Sequence, residues 1–260
     1  MGARSRSVGR GSPTSRPGRR CQYENPGGGA GAEFACAVAD RLHHRGVATL
    51  LLEQLVVLAK DNGIGASYGW VSRCAYTVNP HAKEIDGVGC YPSVTALPDP
   101  PDLAIVAVPA TAVVQVAEEC GRSGVRALVM LTSGLSPHGP RLHATCRRYG
   151  MRLVGPNGLG IVSALTGAGR LNATFAAGTP VLGTAGLVAQ SGGVGVALLE
   201  QLGRLGIGVS TFASVGDKYD VSANDMLQWW EHDGRTRLGL LYVESFGNPR
   251  KFARTARRVA

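Results

Sequence analysis

A tight turn of small and polar residues, Gln190-Ser-Gly-Gly193, is the part of the sequence best suited to chemistry. Residues 186–189 are apolar and predict a short buried strand, and residues 194–205 carry apolar side chains at helical spacing. The first turn of a helix has free backbone N–H groups, and its dipole favours negative charge. The pattern therefore predicts an anion site, although a plain strand-to-helix connection uses the same glycines. The residues of this site are Ser191, Gly192 and Gly193.

Strands and helices alternate on the N-terminal side of this turn. Apolar strands are predicted at 74–78, 103–108, 126–131 and 152–154, with helices at 111–121 and 139–149 and a short edge segment at 90–97. Continuous apolar strands between amphipathic helices indicate an α/β fold with a parallel sheet covered on both faces. Ligands of such sheets lie beyond the carboxyl ends of the strands. The loops at those ends are 79–83, 108–111, 132–135 and 155–158.

The positive charge lies at the two ends of the sequence. Six arginines fall within residues 1–20 and five basic residues within 250–258, with no acidic residue in either stretch. Removing these eleven charges from the net charge of +9 leaves −2 for the rest. The folded part therefore has no basic face, which argues against nucleic-acid binding.

The six cysteines are scattered, without a C-x-x-C pair. This spacing argues against a zinc site and a disulfide framework, so we expect no metal site and reduced thiols in a cytoplasmic protein. No apolar run approaches the roughly 20 residues of a membrane span, and the Arg-rich N-terminus lacks an apolar signal region. We expect no membrane partner.

Two features precede the predicted sheet. Residues 1–29 are rich in Gly, Ser, Pro and Arg and predict a disordered tail. Residues 33–62 resemble motif A of the GNAT acetyltransferases, with a strand, a His43-x-x-Gly46-x-Ala48 loop and an apolar helix. The resemblance implies that this loop cradles a CoA pyrophosphate, whereas an ordinary helix packed on a sheet explains the same residues. The loop residues are Arg45, Gly46, Val47 and Ala48.

A longer series of motifs extends over about 76–260. It contains Val78-Asn-Pro80, Tyr91-Pro-Ser-Val94, Thr132-Ser-Gly134, Gly155-Pro-Asn157, Leu171-Asn-Ala-Thr-Phe175, Gln190-Ser-Gly-Gly193, Ser214-Val-Gly-Asp-Lys218 and Leu241-Tyr-Val-Glu244. In this order the motifs closely resemble the CoA-binding and ligase-type flavodoxin-like domains of the NDP-forming acyl-CoA synthetases, relatives of the succinyl-CoA synthetase α subunit. The resemblance implies a tandem Rossmann-like CoA-binding domain and succinyl-CoA ligase-type flavodoxin-like domain with parallel sheets. The expected divisions are a tail at 1–29, a GNAT-like piece at 30–66, a CoA-binding domain at 67–160, a linker at 161–180 and a flavodoxin-like domain at 181–260.

The resemblance also implies a reaction and roles for particular residues. The family joins a small carboxylic acid to CoA through an acyl phosphate and a phosphohistidine, with ATP handled by an ATP-grasp domain. The CoA groove would be lined by Asn79, Lys83, Val108, Pro109, Ser133, Gly134 and Asn157. The anion turn would hold the phosphoryl group, and Glu244 would orient the phosphohistidine. Lys218 and Asp220 either act in this loop or simply form an ion pair with each other.

The sequence departs from the family at three places. Gly65-Ala-Ser67 matches a CoA-gripping loop, but too few residues follow it for a crossover helix. None of the six histidines (43, 44, 81, 138, 143 and 232) stands in the phosphohistidine context, and the ATP-grasp domain has no counterpart. We therefore expect a module that is incomplete as a catalyst alone. An ATP-grasp β-type subunit or domain would be its partner, bringing ATP/ADP and Mg²⁺. A GNAT-type N-acyltransferase and a non-catalytic remnant of a GNAT–synthetase fusion are the alternatives.

Overall fold

The structure is a computed structural model, and it describes residues 34–38, 75–85, 88–165, 169–174, 176 and 180–259. The strands of its first half are β1 (Phe34–Val38), β2 (Ala75–Val78), β3 (Glu84–Ile85), β4 (Val88–Tyr91), β5 (Leu103–Ala107), β6 (Ala127–Met130) and β7 (Arg152–Val154). Helix α1 (Val113–Arg122) joins β5 to β6, and α2 (Gly139–Arg148) joins β6 to β7. The elements predicted over 74–154 are confirmed, with ends that differ by at most two residues.

The first sheet has the strand order β3-β4-β2-β1-β5-β6-β7, and its pairs are parallel except the short β3–β4 pair. Strand β1 pairs with both β2 and β5 and so lies in the middle of the sheet. The sequence-based division placed this strand in a separate piece at 30–66, because an apolar pentapeptide does not show which strands flank it. The predicted tail at 1–29 and the GNAT-like loop residues Arg45, Gly46, Val47 and Ala48 lie outside the described residues.

The two faces of the first sheet are covered by different elements. On one face, Val106 and Leu128 pack with the buried residues of α1, such as Ala117 and Cys120. These helical residues recur at the spacing of one helix face, which is why α1 buries a single stripe. On the other face, Ile105 and Val129 form a separate cluster with residues from beyond β7.

The second half contains a smaller sheet with the order β12-β10-β11-β8-β9. Its strands are β8 (Gly160–Leu165), β9 (Gly169–Thr174), β10 (Leu182–Ala189), β11 (Val209–Ser214) and β12 (Leu238–Tyr242). Its helices are α3 (Gly192–Arg204), α4 (Ala223–Asp233) and α5 (Pro249–Val259). Strands β10, β11 and β12 are parallel and connected through α3 and α4, the arrangement expected of a flavodoxin-like unit.

Strands β8 and β9 pair as a β-hairpin in the stretch that the sequence predicted as a linker, 161–180. Strand β8 pairs antiparallel with both β11 and β9, so the second sheet is mixed. One face of the hairpin, with Ile161 and Leu171, packs against Ile105 and Val129 of the first sheet. The other face, with Val162, belongs to the core beneath α3. Of the small residues that suggested a linker, Ala173 packs with the first of these clusters and Ala176 with the second.

The two halves of the molecule also meet through two loops. Backbone hydrogen bonds run from Asp217 N to Pro156 O (2.9 Å), from Tyr219 N to Gly155 O (3.1 Å) and from Val221 N to Leu153 O (3.0 Å). The loop after β7 is therefore fixed to the loop after β11. Within the described residues, no helix is both long and apolar enough to cross a membrane.

An ion pair closes this junction. Arg152 donates to both carboxylate oxygens of Asp220 (2.8 and 3.2 Å), and Leu153 N–H donates to the same group (2.9 Å). Burial acts to raise the pKa of Asp220, but these hydrogen bonds and the Arg152 charge outweigh it, so the pKa is lowered. A carboxyl group whose pKa is lowered by folding stabilises the protein above its unfolded pKa, and this contribution is lost as the pH falls through the folded pKa.

We expect Asp220→Asn to lower the free energy of unfolding by about 1 kcal/mol at pH 7, because the charge-assisted hydrogen bonds are lost. The difference from the unmodified protein should shrink as the pH falls below about 4, where the carboxyl group of the unfolded chain becomes protonated, and disappear below the lowered folded pKa. Urea unfolding at several pH values measures it. Glu200→Gln is the control, because the Glu200–Arg204 pair is 54% and 74% exposed and should contribute little. A pH-independent difference would contradict this account of Asp220.

Candidate functional site

The carboxyl end of β2 carries Asn79, which is almost fully buried. Its Oδ1 accepts hydrogen bonds from His81 N (2.8 Å) and Ala82 N (3.1 Å), and its own N–H donates to Tyr91 O (2.9 Å). The side chain thus shapes the loop after β2, and Lys83 is exposed at the far end of that loop. Of this predicted pair, Lys83 is available to a ligand, whereas Asn79 acts on the backbone.

The loops after β5 and β6 lie side by side, because these strands are neighbours in the sheet. Val108 and Pro109 are half-buried, and Ser133 and Gly134 are exposed. Thr132 Oγ1 donates to Val108 O (2.7 Å) and so joins the two loops. Sequence reasoning did not choose Thr132 as a site residue, although it belongs to the quoted Thr132-Ser-Gly134 motif. The backbone is open to a ligand at the exposed end of the second loop, where a Cβ on Gly134 would meet nothing within 4 Å.

Asn157 joins the first set of loops to the second half of the molecule. Its N–H donates to Thr132 O (3.0 Å), and its Nδ2 donates to Asp217 Oδ1 (3.2 Å). Asn157 is exposed and has a φ of 59°, in the left-handed region that Asn tolerates better than most residues. Asn79 and Lys83 lie farther away, since β1 and β5 stand between β2 and β6 in the sheet.

The predicted anion turn lies between β10 and α3. Ser191 is the N-cap residue of α3, and its side chain makes no capping hydrogen bond. No acidic residue occupies the first turn, and a Cβ on Gly193 would meet nothing within 4 Å. The first N–H groups of a helix have no acceptor within it, so this turn presents donors and a positive dipole end to an open space.

Ser214 has a buried hydroxyl group close to this turn. It is the last residue of β11 and is 0% exposed, and its Oγ has no hydrogen-bond partner among the described residues. A Cβ on Gly192 would lie 3.9 Å from this oxygen, and a Cβ on Gly158 would lie 3.7 Å from it. Buried hydroxyl groups are rarely left unpaired, because that lowers stability. The hydroxyl therefore lies between the anion turn and the loop that follows β7.

Glu244 is held beside the anion turn by Gln190. The Gln190 Oε1 accepts from Glu244 N (2.9 Å), and its Nε2 donates to Glu244 Oε2 (3.3 Å). Gln190 N–H also donates to Tyr242 O (2.8 Å), so residue 190 connects the ends of β10 and β12. Gln190 was absent from the predicted site residues, and its place directly before the Ser-Gly-Gly turn is the signal that could have identified it.

Lys218 and Asp220 do not pair with each other. Lys218 donates to Ser245 O, Ser245 Oγ and Gln190 Oε1, whereas Asp220 pairs with Arg152. The ion pair considered from the sequence is therefore wrong. Two residues of one loop thus have different partners, since Lys218 contacts the loop after β12 and Asp220 contacts β7.

The buried cysteines are not placed for nucleophilic chemistry. Burial raises the pKa of Cys120 to about 12 and the pKa values of Cys90 and Cys146 to about 11, so all three are thiols at neutral pH. Within the part of the chain that the structure describes, no cluster of three His, Cys, Asp or Glu residues could hold a metal ion.

Comparisons with known proteins assign both halves of the molecule to known domain families. Residues 72–164 match the family model of a CoA binding domain, and residues 182–260 match that of a succinyl-CoA ligase like flavodoxin domain. The chain contains these two domains. The predicted fold class is thereby confirmed. Neither match includes residues 33–62, and the GNAT resemblance receives no support from the comparisons.

The relatives of these domains are ADP-forming CoA ligases. The chain is 38% identical over 196 residues to acetate–CoA ligase [ADP-forming] I of Archaeoglobus fulgidus, a match that covers 73% of this chain and 28% of the relative. It is 37% identical over 204 residues to the α subunit of acetate–CoA ligase [ADP-forming] I of Pyrococcus furiosus, covering 74% and 43%. The chain therefore spans less than half the length of either relative.

A solved structure agrees with the fold. The dinucleotide forming acetyl-coenzyme A synthetase 1 of Ca. Korarchaeum cryptofilum, in complex with phosphate and ADP, superposes with a TM-score of 0.75 at 31% identity. The superposition covers 90% of this chain and 48% of that one. The two domains are thus homologous to those of ADP-forming acetyl-CoA synthetases.

Proposed function

We propose that the chain is the CoA- and phosphate-binding module of an NDP-forming acyl-CoA synthetase. One observation carries the proposal: the predicted CoA site and the predicted anion site adjoin each other. Leu159 lies against the first turn of α3, where a Cβ on Gly192 would be 3.5 Å from its side chain. The loop at 155–158 follows β7, the last strand of the first sheet, and therefore adjoins the anion turn of the second sheet.

The predicted site residues form two groups, one for CoA and one for a phosphoryl group. Lys83, Pro109, Ser133 and Gly134 would contact CoA, with Val108 and Asn79 shaping the loops that carry them. Asn157 would approach the thiol end, since it stands nearest the flavodoxin domain. Ser191, Gly192 and Gly193 would bind a phosphoryl group through the N–H groups of the first helical turn. Glu244 would hold the imidazole of a phosphohistidine through its second ring nitrogen.

This arrangement suits transfer through an acyl phosphate. A phosphohistidine gives its phosphoryl group to a small carboxylic acid, and the CoA thiol then displaces phosphate to form the thioester. The helix dipole and N–H groups would stabilise the phosphoryl charge during both steps. We propose that the phosphohistidine and an ATP-grasp part, which uses ATP/ADP and Mg²⁺, lie on another segment or on a β-type partner. The module would then be inactive alone.

Calorimetry on the purified chain with CoA, desulfo-CoA and acetyl-CoA tests the proposal. We expect saturable binding in the micromolar range, about −8 kcal/mol. Ser133→Asp should weaken it at least about tenfold, because a carboxylate at this loop would repel the CoA phosphates. Gln228→Glu adds the same charge on an exposed face of α4 and should change nothing. A folded chain that binds none of the three ligands would overturn the proposal and leave the non-catalytic remnant.

A further inference from the structure

Lys218 has an unusual position in this molecule. Its φ is 44°, in the left-handed region where a side chain other than Gly, Asn or Asp is uncommon. The neighbouring Gly216 also has a positive φ, and Lys218 N–H donates to Val215 O (2.8 Å), so a tight turn imposes this backbone. A lysine in such a strained conformation points to a use for its side chain.

The ammonium group of Lys218 has only neutral partners. It donates to the backbone and hydroxyl oxygens of Ser245 and to Gln190 Oε1 (3.3 Å). Among the described residues, no carboxylate oxygen lies within the 4.0 Å of an ion pair with its Nζ. Its charge is therefore not neutralised by a direct partner, although the side chain is only partly exposed.

This charge contacts the side chain of the residue that precedes the anion turn. Gln190 directly precedes Ser191, and the same Oε1 that accepts from Lys218 also accepts from Glu244 N. Glu244 brings a negative charge to this place, which opposes the binding of an anion. Lys218 supplies the opposite charge and, through Gln190 and Ser245, holds the ends of β10 and β12 together around the turn.

We propose that Lys218 is a positioning residue of the phosphoryl site, which it makes electropositive while fixing Gln190 and Glu244. The inference rests on the proposed function, since it assumes that the turn binds a phosphoryl group. It differs from that proposal because the turn itself could bind phosphate without any help from Lys218. The ammonium group and the helix dipole then act on the same ligand, one from the side and one along the helix axis.

Inorganic phosphate is the probe, with binding followed by ³¹P NMR titration at two ionic strengths. Lys218→Met removes the charge at similar length and should weaken phosphate binding at least about tenfold, with a smaller dependence on salt. Lys218→Arg should restore most of the affinity. Arg204→Met removes one positive charge at the other end of α3, roughly 17 Å away, and should change the affinity less than twofold. CoA binding should stay the same in all three variants.

The outcomes separate the two proposals. If the unmodified chain binds phosphate and Lys218→Met binds it equally well, Lys218 is only a tie between loops and this inference is overturned. If Lys218→Met and Lys218→Arg lose affinity to the same extent, geometry rather than charge is responsible, and the electrostatic role is wrong. If the unmodified chain binds CoA but no phosphate, the anion site of the proposed function fails, and the role of Lys218 fails with it.

Discussion

Replacing Gly193 by Asp is expected to weaken phosphate binding about 100-fold while leaving the fold at least as stable. The new carboxylate would occupy open space at the first turn of α3, since a Cβ on Gly193 meets nothing within 4 Å. A negative charge there stabilises the helix N-terminus and replaces a flexible glycine. The same charge repels a phosphoryl group a few ångströms away. Phosphate titration and thermal unfolding measure the two effects.

Gly193→Asn is the matched control, because it has the shape of Asp without the charge. It should lower phosphate affinity only slightly, and CoA binding should be unchanged in both variants. Equal affinities of the Asp variant and the unmodified chain would show that phosphate does not bind at this turn. Loss of stability in both variants would show that the space around residue 193 is smaller than the structure indicates.

Gly216→Ala is expected to lower the free energy of unfolding by about 3 kcal/mol or more. The φ of Gly216 is 50°, and a Cβ would lie 2.0 Å from Pro156 O and 2.6 Å from Asn157 C. These atoms are backbone and belong to the loop fixed to the second domain, so the clash is relieved only by separating the two loops. Strain and steric overlap of this kind reach several kcal/mol. Urea unfolding measures the change.

Gly134→Ala separates the cost of the backbone conformation from the cost of the steric overlap. Gly134 has a φ of 71°, but a Cβ there would meet nothing within 4 Å. Its replacement should cost about 1 kcal/mol, the cost of the backbone conformation alone. Similar losses for the two variants would mean that the close approach of 216 to 156 contributes nothing. Weaker CoA binding by Gly216→Ala would further indicate that the junction supports the groove.

The sequence correctly predicted the part of the fold in which strands and helices alternate. Apolar strands such as 103–108 and amphipathic helices such as 111–121 have patterns that depend on local burial alone, and the structure places them as expected. The Ser-Gly-Gly turn was equally readable, because its role follows from residues adjacent in the chain. Features that depend on distant partners were not predicted.

Three examples show this limit. The apolar pentapeptide at 34–38 does not reveal that β2 and β5 flank it. Strands β8 and β9 alternate weakly and contain the buried polar residues Asn172 and Thr174, so their composition resembled a linker. Lys218 and Asp220 are two residues apart, but their partners lie 27 and 68 positions away. The contacts of Gln190 with Glu244 likewise required the ends of two strands to be placed side by side.

The hairpin of β8 and β9 makes the boundary between the two domains indistinct. The CoA-binding match extends to residue 164, yet residues 160–165 are a strand of the second sheet. A cut at that boundary would separate β8 from β9 and remove Leu171 and Ala173 from the layer that covers Ile105 and Val129. The stretch that matches the CoA-binding family thus ends inside a strand of the second sheet, so the two domains share β8. A shortened chain that keeps the CoA groove intact should include the residues up to 174.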